Sequence, residues 1–116
     1  MDFDHFTVVL LASPTADPEL DENESAAIQD AHLNHLATLH EAGELIAAGP
    51  LRDPDGRFRG LSIFSVDADE ARRLSEADPA VRAGVFELEV VPWIVPAGAV
   101  AWSPAAFPHS AAEAGG

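Results

Sequence analysis

Apolar positions recur along this chain with two different periods, and the changes of period mark out its elements. His5 to Ala12, containing FTVVLLA, is a β-branched and aromatic run without polar alternation, which predicts a central strand covered on both faces. From about Ser25 to Ala42 the spacing becomes helical. At roughly 100° per residue, Ile28, His32, His35 and Leu39 fall in one narrow arc, with Leu36 at its edge. Gly43, which accepts a left-handed backbone, ends that helix. Leu45 to Ala48 and Leu61 to Val66 then read as strands. The Asp-Pro and Asp-Gly dipeptides of LRDPDGRFRG between them predict a turn, so the two strands form an antiparallel hairpin. Asp67 followed by Glu70 opens a second helix, DADEARRLSEA, in the manner of a capping box, with Ala71 and Leu74 toward the sheet. Asp78-Pro79 ends it, because a residue before proline avoids the α region. Val85 to Val91 is the fourth strand, with Phe86, Leu88 and Val90 on one face.

The resulting order, β-α-β-β-α-β, is the ferredoxin-like split βαβ arrangement of the α+β class. Both helices cover one face of an antiparallel sheet. The other face must be buried elsewhere, and pairing two such sheets in a homodimer does this. The 116 residues suffice for one core, assigned to residues 1–98. Residues 99–116 are rich in Ala, Gly and Pro and read as a C-terminal arm. In it, Ala99 to Trp102 is expected to be a short strand or arm packing on a partner, with the last residues frayed. Ser13 to Glu24, proline-bearing and acidic, reads as a solvated loop or a lid.

Charge and composition remove several classes of function. A formal charge of −14, with arginine as the only basic residue type, makes nucleic acid an unsuitable partner. The absence of cysteine excludes disulfides, thiolate nucleophiles and thiolate metal sites. Val8 to Ala12 is too short for a signal sequence or membrane span, so no membrane partner and a cytoplasmic location are expected. Glycine-rich phosphate loops and a nucleophile elbow are missing, which argues against a covalent hydrolase and leaves no cofactor indicated.

Chemistry therefore rests on the inward arc of the first helix, which carries two imidazoles. His32 is either a core histidine satisfied by one hydrogen bond or a proton-transfer group facing a pocket. His35, one turn on, is a pocket-lining residue, a packing residue or, on weak grounds, half of a metal pair. No metal site is assigned. His40 lies off the arc and is expected to be exposed, while His5 and His109 lie near the termini. Gly49, Pro50 and Gly84 serve backbone geometry or the close approach of a ligand.

Taken in order, FTVVLLA, the AHLxxL helix, GELIAAGP, GLSIFSV, DADEARRLSEADP with its continuation PAVRAG, and FELEVVPWIVPAG resemble the YciI-like family, the YCII-related domain. The resemblance covers about Phe6 to Pro96 and implies a dimeric α+β barrel-type assembly. It also pairs His32 with Asp78, where the bare sequence shows only a helix stop. A carboxylate beside an imidazole fixes its tautomer and orients it for acid–base work. The pocket that the resemblance implies lies between the His32 helix, the strand after Gly43 and the segment around Asp78. Gly49, Pro50, His35, Arg52 and Trp93 would border it, with Arg52 able to pair a carboxylate or phenolate substrate; Trp93 is equally readable as a core or interface aromatic. Two functions follow as expectations. One is a cofactor-independent lyase or isomerase, dehydrochlorinase-like, moving a proton of a small cyclic or conjugated compound. The other is a non-catalytic small-molecule-binding or accessory protein.

Overall fold

A computed structural model describes residues 1–115. Its elements are β1 (Phe3–Ala12), α1 (Glu22–Glu41), β2 (Leu45–Pro50), β3 (Phe58–Phe64), α2 (Ala68–Glu76), α3 (Pro79–Arg82) and β4 (Glu87–Pro96). The four strands form one antiparallel sheet in the order β2-β3-β1-β4, with β1 paired on both sides. The expected α+β, ferredoxin-like arrangement is present.

Local chemistry explains most boundaries. Asp21 caps α1, its carboxylate accepting the Glu24 N–H at 2.7 Å, so the helix starts before the expected Ser25. Glu22 and Glu24 thereby occupy the first turn, where the helix dipole favours negative charge. Gly43 closes α1 at φ +81°, its N–H donating to the His40 carbonyl. Asp67 accepts the Glu70 N–H at the start of α2. Asp78 does more than stop a helix. It caps the short α3, with Pro79 at the first helical position.

β4 runs to Pro96, five residues past the expected Val91, and pairs with β1 along its whole length. Pro92 sits inside it opposite Thr7. A proline is tolerated there because β4 is an edge strand with one side free of ladder bonds.

The sheet has two unlike faces. Under the helices, Val9, Phe64 and Leu45 join Leu39 of α1 and Ala71 and Leu74 of α2 in the buried core. Each large side chain there contributes about 1.5–3 kcal/mol of transfer free energy. The other face carries Phe6, Val8, Leu10, Leu61, Ile63, Val91 and Trp93, half-buried to exposed. Coverage of β1 on both faces, expected from its unbroken apolar run, is thus complete on the helix side alone within one protomer.

The C-terminal segment also departs from expectation. After a turn at Gly98 it forms no strand. Instead it returns along α1 of the same chain, with Trp102 and Phe107 stacked against His40.

Candidate active site

His32 projects from the middle of α1 toward the start of α3, where Asp78 meets it. The imidazole Nδ1 lies 2.6 Å from Asp78 Oδ2, and both residues are buried, at 7% and 2% exposure. The Asp-Pro dipeptide sets this geometry. Pro79 has no N–H to offer, so the second carboxylate oxygen, Oδ1, accepts the Ala80 N–H at 2.9 Å, and Oδ2 is left for the imidazole. Gly84, at φ +79°, turns the chain from α3 toward β4 and places Phe86 against the His32 ring, with centroids 5.6 Å apart.

With the carboxylate on Nδ1, the ring proton resides there and Nε2 presents its lone pair. Among the described residues Nε2 has no hydrogen-bond partner, yet no sealed side-chain nitrogen or oxygen lacks one. This nitrogen is therefore the accessible one. His32 lines a cavity of about 650 Å³ between α1 and the β2–β3 half of the sheet, a volume suited to a small organic molecule. Leu33, Leu36, Ala48, Pro50 and Phe86 give it a mainly apolar wall, and Gln29 and Ser62 add polar groups.

The structure distributes the expected site residues unevenly. His32, Gly49 and Pro50 line the cavity, and Asp78 stands behind His32. His35 does not line it; its Nε2–H donates to the Leu74 carbonyl at 2.9 Å, tying α1 to α2. Three residues along a helix leave His35 offset from His32 by about 60° and one turn further along, enough to carry it to the next groove. Arg52 is exposed in the β2–β3 loop and is not part of the lining. Trp93 is also absent from it, lying opposite Phe6 on the far face of the sheet with ring centroids 6.5 Å apart.

His40 corrects the expectation of exposure, being 2% exposed. Its Nδ1–H donates to the Leu45 carbonyl at 2.7 Å, and its Nε2 accepts the Ala105 N–H at 3.3 Å. The returning C-terminal segment buries it, and Phe107, Pro108, Ala111 and Ala114 of that segment also line the cavity. Sequence periodicity carried no signal for these four. Among the described residues, no three His, Asp or Glu side chains converge in a metal-binding cluster, and no helix is long and apolar enough to cross a membrane.

Carboxylates away from the cavity fix its frame. Glu87 is held below the usual carboxylate range, first by the Thr15 N–H and then by the Thr15 hydroxyl, which ties the acidic loop to β4. Asp53 is lowered chiefly by the Phe58 N–H and shapes the β2–β3 turn.

Known proteins match this architecture. The solved structure of TftG, the 5-chloro-2-hydroxyhydroquinone dehydrochlorinase from Burkholderia phenoliruptrix AC1100 in complex with 2,5-dihydroxybenzoquinone, superposes with a TM-score of 0.53. It is 21% identical, over 76% of this chain and 92% of that one, and so speaks to the fold. Protein YciI from Escherichia coli O6:H1 and Protein YciI from Shigella flexneri are each 33% identical over 69 residues, 53% of this chain and 70% of theirs. The YCII-related domain matches residues 7–94, a span that contains most of the sheet, His32 and Asp78, and the chain belongs to that family.

Proposed function

We propose that this protein is a cofactor-independent lyase or isomerase in which His32 moves a proton of a small cyclic or conjugated compound. The observation that carries the reading is a buried imidazole whose Nδ1 is engaged by Asp78 while its Nε2 is unpartnered at a largely apolar cavity. Asp78 orients the ring, fixes the tautomer and stabilises the imidazolium formed when Nε2 accepts a proton. In a dehydrochlorination, Nε2 would take the proton from an acidic O–H or C–H. The electron pair released would shift through the conjugated system and expel chloride, so that HCl is lost overall. In an isomerisation the same nitrogen would return the proton to another carbon. TftG, named for such an elimination, shares the fold, and its structure holds a ring compound of the size this cavity accepts.

The experiment is incubation of the protein with 5-chloro-2-hydroxyhydroquinone and hydroquinone-type analogues, following chloride release and ultraviolet spectra. Turnover by wild type that is lost in His32→Gln supports the reading. Binding without product, unchanged by His32→Gln, sinks it in favour of a binding or accessory protein. The apolar sheet face of Phe6, Val8, Val91 and Trp93 supports a homodimer. Sedimentation should show a dimer that Trp93→Glu shifts to monomer; a monomeric wild type would refute this.

A further inference from the structure

The cavity beside His32 has one wall that the sheet and helices do not supply. Phe107, Pro108, Ala111 and Ala114 form it, all beyond the span matched by the family. The segment that carries them runs antiparallel to α1. Trp102 contacts His40, His109 contacts both Glu41 and Asn34, and Ala111 contacts Asp30, so the segment follows one helix face back toward the N-terminus.

Two kinds of contact hold this strap, and they differ in strength. At its near end the Phe107 ring stacks on buried His40 at 4.1 Å and 9°, and the Trp102 indole N–H donates to the His40 carbonyl. At its far end every anchor is polar and solvent-facing. His109 Nδ1 lies 2.6 Å from Asn34 Oδ1, His109 Nε2 lies 2.9 Å from Glu41 Oε2, and the Ala111 N–H donates to Asp30 Oδ1 at 2.9 Å. Exposed hydrogen bonds of this kind exchange readily with water, whereas a buried stack does not. The His109 end is therefore the weaker of the two attachments.

We propose that residues 107–114 are a hinged wall of the His32 cavity, latched to α1 by His109, which controls access to His32 Nε2 while Phe107 sets the size of the ring admitted. The ligand-size part rests on the reading of the cavity as a small-molecule site; the access part does not. The wall offers side chains of Phe, Pro and Ala alone, so it selects a flat ring whose polar atoms lie toward His32.

The test uses the full chain with His109→Ala, Phe107→Ala and the milder Phe107→Leu, each checked for native circular dichroism. Carbethoxylation of His32 by diethyl pyrocarbonate, followed by peptide mass spectrometry, should be about tenfold faster in His109→Ala. An unchanged His32 rate in folded His109→Ala overturns the hinged wall. Affinities for 2,5-dihydroxybenzoquinone and the two-ring 2-hydroxy-1,4-naphthoquinone give the second readout. Wild type should prefer the single ring, and Phe107→Ala or Phe107→Leu should narrow that preference about tenfold. An unchanged preference removes Phe107 as the size-setting residue. If neither quinone binds any variant but His32 labelling accelerates in His109→Ala, the hinged wall stands and the ligand reading falls.

Discussion

Two buried histidines lie eight residues apart on one helix, and they do opposite things. His32 has a carboxylate on one nitrogen and leaves the other unpartnered at a cavity. His40 has a carbonyl on one nitrogen and an amide N–H on the other, with Phe107 and Trp102 stacked against its ring. Burial is similar at 7% and 2%, so burial does not distinguish an imidazole with one nitrogen facing a cavity from one engaged at both nitrogens. What distinguishes them is whether a nitrogen remains unspent. His40 has no capacity left for chemistry and serves as a polar peg that joins the end of α1, the start of β2 and the C-terminal segment.

The contrast can be broken most directly at His32. His32→Gln should lower turnover by about 10²–10⁴-fold while leaving thermal unfolding nearly unchanged; a variant with full activity would erase the distinction. Asp78→Asn comes next. It keeps a cap for the Ala80 N–H but presents an amide in place of the carboxylate, and activity should fall about 10²-fold or more. Replacement of His40 should show the reverse signature. His40→Ala leaves the Leu45 carbonyl and Ala105 N–H without their partner and a hole between two aromatic rings, costing about 3 kcal/mol in urea denaturation. Because Phe107 of the cavity wall stacks on His40, KM should rise, while kcat of the residual folded protein stays within a few-fold of wild type.

The smallest effect lies in the acid limb of stability. Glu87 is held below its ordinary range by bonds from Thr15, so it is more acidic folded than unfolded. Its stabilising contribution is present above the unfolded carboxylate value and is lost as pH falls through the folded one. Glu87→Gln should therefore flatten the pH dependence of stability slightly in the acid limb below about pH 4.5, with a small loss of stability that is constant across the neutral region. An acid limb as steep as that of wild type would contradict this assignment.

How far the sequence revealed each histidine follows from the range of the contacts involved. The succession of elements, the hairpin at Asp53–Gly56 and the caps at Asp67 and Gly43 were legible, because each depends on neighbours a few residues away. His32 was legible through helical periodicity, and its pairing with Asp78 through family resemblance, since only the fold closes a separation of 46 residues. The length of β4 was hidden by Pro92, whose meaning depends on whether its strand is at the edge. His40 was misplaced because its cover comes from residues more than sixty positions later, in a stretch whose composition has no period. The same long-range return concealed four cavity residues; Arg52 and Trp93 lie outside the lining, one in an exposed loop and the other on the far face of the sheet.

The division of the cavity between two stretches of chain has an evolutionary consequence. The imidazole and its carboxylate are encoded within residues 7–94, whereas Phe107, Pro108, Ala111 and Ala114 come from a terminal extension that contributes no strand to the sheet. Insertions, deletions or exchanges in the segment after the matched span can remodel one side of the chamber while leaving the sheet and the His32–Asp78 pair intact. Reactivity and selectivity can then drift independently, and a library varied after residue 98 is the natural place to redirect this scaffold toward new molecules.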